Sequence, residues 1–297
     1  MSKFLIPFVL LASMVSCAHT SLNKGRVDAV EARESVYKVK VVLTLDTSPL
    51  QPKKEEGEEA STDASKVLFT PKSNGLRPII ISKIGNTAKI GWSGTGWVAS
   101  RENGKSFVVS AGHVCESRDF FTVEVFDLAA WTINEVKLPI IEKRHTLLSR
   151  ENIEVGPVTI LADEDLGDDF SGPDMCLIGA SGDLGTPLPI GDSDPEYASH
   201  AEVIGAPTGL WGGNIAIIAD LKYSGRGNVW GGGVEESLAF TGDVAGGNSG
   251  SAIMQDGKVV AMLNFGGTRF KELTTGVPWE KLRDFLRRNL HRSPKKD

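Results

Sequence analysis

The sequence predicts an all-β fold that ends in one helix, and three observations support this fold class. Short apolar runs recur along most of the chain, and Gly, Pro, Asn and Asp separate them. The 33 glycines, set against only 7% aromatic residues, are typical of tight turns between strands. Helical periodicity is convincing only near the C-terminus. A sandwich or a pair of barrels is therefore favoured over a βαβ fold.

The first strand is predicted at residues 36–46, where VYKVKVVLTLD alternates and is rich in valine. Residues 47–66 carry two prolines and many charges, without a large apolar residue after Leu50, which predicts a disordered loop or insertion. Strand-like runs then follow at short intervals: RPIIISKIG, TAKIGWSGTGWVAS, KSFVVSAGHV, FFTVEVFD, INEVKLPIIEK, VGPVTILAD, MCLIGAS, AEVIGAP, GNIAIIADLKY, ESLAFTG and GSAIMQDGKVVAMLNFGG.

The predicted helix lies in VPWEKLRDFLRRNL, with Pro278 near its start. Its apolar residues share one face: Trp279, Leu282, Phe285, Leu286 and Leu290. The basic tail that follows, residues 291–297, is expected to be a solvated terminus. A net charge of −6 argues against a nucleic-acid partner.

The N-terminus predicts export. Residues 1–16 have a lysine near the start, an apolar run and then small residues, as in a secretory signal peptide. The end of this segment, SMVSC, resembles the bacterial lipobox, although Met14 stands where leucine is usual. The resemblance implies a lipid on Cys17, a tether at 17–34, and a lipoprotein on the periplasmic side of a bacterial membrane, with the outer membrane favoured by Ala18. Ordinary cleavage after Ala18 remains the alternative.

Ser249 is a candidate nucleophile. It lies in TGDVAGGNSGSAIM, where four glycines precede or follow it and an apolar strand begins. A serine hydroxyl needs a neighbouring base, usually histidine, and a carboxylate to orient that base. Among the histidines of the mature chain, only His113 directly follows an apolar strand, in the small-residue turn of FVVSAGHVC.

Three segments together resemble the trypsin-like serine proteases of bacterial or viral type. GTGWVAS with FVVSAGHVC resembles their histidine segment, PDMCLIGA their aspartate segment and GGNSGS their nucleophile loop. The resemblance covers about 35–290 and implies two antiparallel six-stranded β-barrels with a C-terminal helix. It also implies a catalytic set of His113, Asp174 and Ser249. Other candidates for the aspartate are Asp163, Asp165, Asp168 and Asp169.

The same resemblance assigns the residues around the substrate. The oxyanion hole would be the backbone N–H groups of Gly247 and Ser249. Asp243 would be the base of the specificity pocket and select Arg or Lys, or it would be a solvated turn residue in a protease that prefers small or medium apolar residues. The remaining substrate-binding candidates are Asn264, Phe265 and Gly266. Asn248 replaces the aspartate used in zymogen activation, so that kind of activation is not expected.

Other motifs carry weaker predictions. Cys115 and Cys176 pair as a disulfide or are two small buried residues, and the sequence leaves both open. Metal-ligand spacing is absent from the cysteine pattern, so neither a metal nor a cofactor is predicted. The acidic run DEDLGDD does not fit an EF-hand and is expected to be a solvated loop. GDSDP, at 191–195, looks like a second serine motif but lacks a following apolar strand, which predicts a surface turn.

The predicted function is a serine endopeptidase that cleaves polypeptide substrates. The main alternative is a catalytically inactive lipoprotein of the same fold that binds peptides or anchors a partner. Esterase activity on the same scaffold is a third reading. An intact set of His113, Asp174 and Ser249 favours the enzyme, because a binding module has no need for all three residues.

Overall fold

A computed structural model describes residues 27–50, 69–71, 79–116, 118–127, 132–164, 173–207, 217–227, 236–266 and 272–290. The strands in this part of the chain are β1 Val36–Asp46, β2 Phe69–Pro71, β3 Ile79–Ile84, β4 Thr87–Glu102, β5 Lys105–Ser110, β6 Phe120–Asp127, β7 Thr132–Leu148, β8 Val158–Glu164, β9 Met175–Ser181, β10 His200–Gly205, β11 Ile217–Gly227, β12 Ser237–Thr241, β13 Ala252–Gln255, β14 Lys258–Gly266 and β15 Leu273–Pro278. The α-helices are α1 Ala29–Ala32, α2 Gly112–Cys115 and α3 Trp279–Asn289, and two 3-10 turns span Arg33–Ser35 and Ser48–Leu50.

The N-terminal half folds as a half-barrel sheet, in the order β2-β6-β7-β1-β4-β5-β9-β8 with β3 added to β4. β1 lies near its centre and pairs with β4 on one side and β7 on the other. Val39, Val41, Leu43 and Leu45 are fully buried, since alternate residues of a strand face the same side. The alternation read from the sequence of this strand is therefore confirmed.

The C-terminal half forms a closed barrel of β10-β11-β12-β15-β14-β13, and pairing of β10 with β13 closes it. Leu221, Leu238, Phe240 and Ile253 fill its interior and are fully buried. The predicted all-β class and the six-stranded barrel are confirmed for this half. In the described residues the first half is a half-barrel sheet, and together the two halves match the predicted trypsin-like double barrel.

The sequence pattern does not predict two of the strands, β15 and β2. β15, with the sequence LTTGVP, is buried along almost its whole length, so its residues do not alternate between apolar and polar. β2 is a short strand that pairs only with β6 among the described residues. Both strands are positioned by their neighbours and not by a pattern of their own.

Residues 27–34, at the end of the predicted tether, contact the folded body. The Val27 N–H donates to the Gly257 carbonyl at 3.1 Å, and Ala32 of α1 is fully buried. The end of the predicted tether thus packs on the protein. The predicted signal peptide at 1–16, Cys17 and the tail at 291–297 lie outside the described residues, as does most of the loop predicted at 47–66.

The C-terminal helix α3 forms as predicted. It begins after Pro278, and Leu282, Phe285 and Leu286 of its apolar face are buried. Of the helices in the described residues, none has the length and apolar character needed to cross a membrane.

Ion pairs and hydrogen bonds around Arg226 attach α3 to the rest of the protein. Arg226 of β11 donates to Asp194 through Nε at 2.9 Å and Nη2 at 2.5 Å, and it also pairs with Glu280 of α3. The Trp279 indole donates to Asp194 at 3.0 Å. The hydrogen bonds to Asp194 raise the pKa of Arg226 above its usual value, and the hydrogen bond to Glu280 is the second largest cause of this shift. Asp194 belongs to GDSDP, so this segment has a structural role that the sequence did not reveal.

Candidate active site

His113 lies on the short helix α2, which begins directly after β5. Strand β5 ends at Ser110, and Ala111 is the N-cap residue of the helix. Small residues on either side of this junction let the chain turn sharply. His113 is 7% exposed, so its ring is largely removed from water. The strand end therefore fixes where the imidazole lies.

Asp174 is next to His113 because β5 and β9 are antiparallel neighbours. Ser110 at the end of β5 pairs with Cys176 at the start of β9, and Asp174 immediately precedes β9. The Asp174 carboxylate accepts from His113 Nδ1 at 2.9 Å through each oxygen, and from the His113 backbone N–H at 2.8 Å. A carboxylate only accepts, so the neutral ring carries its proton on Nδ1 and its lone pair on Nε2. The pair can thus act as an oriented base.

The backbone of Asp174 supports this orientation. Its φ is +56°, a left-handed conformation that short polar side chains such as aspartate tolerate better than others. The residue is fully buried. Three hydrogen bonds from His113 then satisfy a carboxylate that would otherwise be costly to bury.

A disulfide joins the two elements that carry this pair. It links Cys115 and Cys176, which follow His113 and Asp174 by two residues each, and their Cα atoms are 6.4 Å apart. Both cysteines are buried in the core. The pairing that the sequence left open is therefore present, and it ties α2 to β9 beside the histidine and the aspartate.

Ser249 lies in the loop between β12 and β13, and two glycines allow this loop to approach the first sheet. Gly247 and Gly250 have φ of +93° and +87°, where glycine is favoured. A Cβ on Gly250 would lie 2.1 Å from the Thr95 carbonyl oxygen and 2.8 Å from the Ala111 nitrogen. Only glycine fits at residue 250, because the loop touches both β4 and the start of α2.

Ser249 and α2 meet at Gly94 of β4. A Cβ on Gly94 would lie 2.6 Å from Val114 Cγ2 and 2.9 Å from the Ser249 carbonyl oxygen. The structure thus brings the serine loop beside the residue that follows His113. Contacts between a nucleophile and its base are often long in the absence of substrate and tighten when it binds.

The loop that carries the predicted oxyanion donors is held at the peptide groups next to those donors. Thr95 Oγ1 donates to the Gly247 carbonyl at 2.9 Å, and the Thr95 N–H donates to the Ser249 carbonyl at 2.8 Å. Among the described residues, the N–H groups of Gly247 and Ser249 themselves make no hydrogen bond. Two available N–H groups on one fixed loop can stabilise a developing oxyanion.

The substrate-binding candidates Asn264, Phe265 and Gly266 lie at the end of β14. A bulge between Leu263 and Phe265 leaves Asn264 outside the regular ladder with β15. Asn264 is buried, and its Oδ1 accepts from Thr275 Oγ1 at 3.0 Å. Its side chain is therefore fixed within the second barrel.

Asp243 is exposed in the serine loop. A carboxylate at the base of a specificity pocket has to be shielded from water for its charge to select a cationic side chain strongly. The exposure favours the solvated-turn interpretation of Asp243.

A second histidine–carboxylate pair provides a contrast. His200 Nδ1 lies 2.9 Å from Asp220 Oδ1, but both side chains are 64% exposed. Water screens such a surface pair, whereas the buried His113 and Asp174 interact in a low-dielectric site. Burial thus separates the candidate catalytic pair from an ordinary surface contact.

Of the other acidic candidates, one lies among the described residues. Asp163 lies on β8 opposite Cys176, while Asp165, Asp168 and Asp169 lie outside the described residues. Over the described ranges, no group of three or more His, Cys, Asp and Glu side chains is placed to hold a metal ion. A cavity of about 300 Å³ beside Val27 and Met254 contains none of the predicted site residues.

Sequence reasoning missed the residues that dock the serine loop. Thr95 is fully buried and bonds to Gly247, Ser249 and Ala206, while Ser110 Oγ donates to the Thr95 carbonyl at 2.7 Å. The sequence feature that could have identified Thr95 is its place between two glycines, in GTG, inside an apolar strand.

Comparison with known families identifies this arrangement. The family model described as Trypsin-like peptidase domain matches residues 94–262, which is more than half of the chain. The chain belongs to this family. The protein is accordingly a trypsin-like serine protease. Among curated proteins no match is found.

Solved structures similar to this protease are distant in sequence. They include the Rv3671c protease from M. tuberculosis in its active form, with 16% identity, 89% of this chain and 85% of that chain covered, and a TM-score of 0.48. A serine endoprotease from Yersinia pestis has 12% identity, coverage of 88% and 64%, and a TM-score of 0.47. A variant of the HtrA-type protease AlgW with a decapeptide has 12% identity, coverage of 88% and 66%, and a TM-score of 0.52. The likeness to AlgW supports the trypsin-like fold.

The disulfide generates a stability prediction. Replacing both Cys115 and Cys176 by serine is expected to lower the free energy of unfolding by about 2–5 kcal/mol, because the cross-link restricts the unfolded chain. Denaturant unfolding of the wild type and the double variant measures the difference. Dithiothreitol should destabilise the wild type and leave the variant unchanged. Equal stability of the oxidised wild type and the variant would contradict the prediction.

His145 generates a pH prediction. Its Nε2 donates to the Cys115 carbonyl at 2.5 Å, at the end of α2. Burial lowers the pKa of His145 below its usual 6.5, against the raising effect of the Cys115 carbonyl and together with the lowering effect of Lys143. The unfolded chain then binds more protons, so stability should be full above pH 6.5 and fall as the pH drops from there to the folded-state pKa.

The check is the free energy of unfolding measured against pH. His145→Gln keeps a side-chain donor for the Cys115 carbonyl but does not titrate, so its stability should decline less below pH 6.5. An identical pH dependence in wild type and variant would show that His145 is not the titrating group.

Proposed function

We propose that this protease is an exported serine endopeptidase in which His113, Asp174 and Ser249 form the catalytic triad. The observation that carries the proposal is the buried contact of His113 Nδ1 with both oxygens of Asp174, beside the loop that holds Ser249. A histidine fixed in this tautomer is suited to accept a proton at Nε2. Its polypeptide substrates are cleaved without a cofactor.

The proposed reaction begins when Ser249 Oγ attacks the carbonyl carbon of the scissile peptide bond. His113 Nε2 takes the hydroxyl proton and then gives it to the leaving amine, while Asp174 orients the ring and stabilises its cation. An acyl-enzyme remains on Ser249. Water, deprotonated by His113, attacks this ester, and release of the carboxylic acid restores the serine hydroxyl.

The backbone N–H groups of Gly247 and Ser249 bind the oxyanion of both tetrahedral intermediates in this proposal. The Gly247 and Ser249 carbonyls are bonded to Thr95, which favours a loop with its N–H groups turned toward the substrate. The hydrogen bond from Ser249 Oγ to His113 Nε2 is expected to be short and well aligned when substrate binds and excludes water.

Export is supported by two independent features. The first is the signal-like segment at 1–16 with its lipobox-like end. The second is the Cys115–Cys176 disulfide, because structural disulfides persist in oxidising compartments and are rare in the cytosol. We propose a lipoprotein anchored through Cys17, with the protease domain on the periplasmic side of the membrane.

The nucleophile is tested with a fluorophosphonate probe. Wild type is expected to be labelled, and Ser249→Ala to lose both labelling and peptide hydrolysis, by about 10⁶-fold in kcat as for loss of such a nucleophile elsewhere. Ser193→Ala is the matched control, since Ser193 lies in the similar GDS sequence but is exposed on a turn. The control should keep full activity.

Asp174→Asn completes this test. It should reduce kcat by about 10⁴-fold through the wrong histidine tautomer, whereas Asp163→Asn should have little effect. Failure of the folded wild type to react with the probe or to cleave any member of a peptide library would favour the inactive binding module instead. Retention of a tenth of the activity by Ser249→Ala would move the nucleophile to another residue.

The anchor is tested by labelling cells with radioactive palmitate. Wild type should incorporate the label and fractionate with membranes, because acyl chains bury in the bilayer. Cys17→Ser is the matched variant and should incorporate none. Equal labelling of both proteins, or a wild type without label, would refute lipidation at Cys17 and leave the protease proposal intact.

A further inference from the structure

One edge of β4 contains an interval that neither neighbouring strand covers. Strand β3 pairs with this edge as far as Gly91, and β5 pairs with it from Gly96 onward. β1 occupies the opposite edge throughout. Backbone groups of residues 92–95 on the open edge are therefore available to something other than a strand.

The serine loop fills this interval, and Thr95 makes the contacts. Its N–H donates to the Ser249 carbonyl at 2.8 Å, in the direction that a neighbouring strand would otherwise occupy. Its hydroxyl donates to the Gly247 carbonyl at 2.9 Å and accepts from the Ala206 N–H at 2.8 Å. One residue of the first sheet thus binds the loop at two points and the end of β10 at a third.

These bonds pair the Thr95 hydroxyl both as donor and as acceptor, out of water. Thr95 and Ala206 are fully buried, and Gly247 is buried. The hydroxyl donates its one proton and accepts through a lone pair, in both cases with backbone groups of the second half of the chain. Removing the hydroxyl would leave a buried carbonyl and a buried N–H without partners, which favours movement of the loop to find others.

We propose that Thr95 is a positioning residue that sets the orientation of the oxyanion donors Gly247 and Ser249. The inference rests on the proposed function of that loop. The Gly247 carbonyl belongs to the 247–248 peptide group and the Ser249 carbonyl to the 249–250 peptide group. Fixing both restrains the 248–249 peptide group between them, which carries the Ser249 N–H, and limits the 246–247 peptide group, which carries the Gly247 N–H. Glycine at 247 has no side chain to resist rotation, so this restraint has to come from outside the loop.

The expected effect is on the transition state and not on substrate binding. Thr95→Val keeps the shape of the side chain and removes the hydroxyl, so kcat should fall by about 10- to 100-fold with KM little changed. A peptide boronate, which mimics the tetrahedral intermediate, should lose affinity by a similar factor. Thr95→Ser keeps the hydroxyl and should restore both values close to wild type.

A matched control separates positioning from general stability. Thr44 of β1 is also buried, and its hydroxyl donates to Glu142 at 3.0 Å, away from the serine loop. Thr44→Val removes a buried hydroxyl in the same way and should keep its kcat and its boronate affinity, whatever its loss of stability. If Thr95→Val does not fold, Thr95→Ala removes the same hydroxyl without the second methyl group and replaces it in all measurements.

Failure of this inference can be told from failure of the proposed function. If wild type reacts with the fluorophosphonate probe but Thr95→Val matches it in kcat and boronate affinity, Thr95 does not position the donors. If wild type is unreactive, the amide resonances and hydrogen exchange of Gly247 and Ser249 serve as the readout. Changes at these amides in Thr95→Val, reversed in Thr95→Ser, support the inference, and unchanged amides overturn it.

Discussion

The proposed active site depends on the open interval in the edge of β4. Because pairing with β3 stops at Gly91 and pairing with β5 starts at Gly96, the loop of the second barrel can bind directly to the backbone of the first sheet. Gly94 and Gly250 make this approach possible, since a Cβ at either residue would collide with the opposite chain. The two halves are joined here by backbone contacts, beside the residues proposed for catalysis.

The histidine and the aspartate are positioned by a different means. They lie at the adjoining ends of β5 and β9, and the pairing of these two strands brings them together before any side chain is considered. The disulfide and the bond from His145 to the Cys115 carbonyl restrain α2 from two further sides. A base whose ring is held by its backbone, its carboxylate partner and a nearby cross-link needs little reorganisation when it accepts a proton.

The fold was largely predictable because strand patterning is a local property. Alternation in β1 and the apolar face of α3 predicted their burial, and turn residues marked most strand ends. β15 has no alternation, since it is buried along almost its whole length, and its place is decided by pairing with β12 and β14. The contacts of Arg226 were equally hidden, because Asp194 and Glu280 are far from it in the chain.

The sequence by itself determined which groups are available for chemistry: a histidine after an apolar strand, a serine in a glycine-rich loop, and an aspartate before a strand. Each of these assignments rests on a short segment that can be recognised without the rest of the chain. Tertiary structure alone decided that Cys115 and Cys176 meet, that Asp243 faces solvent and that Thr95 holds the serine loop. The physical reason is that each of these facts depends on distances between segments that are remote in the sequence, and local propensity carries no information about those distances.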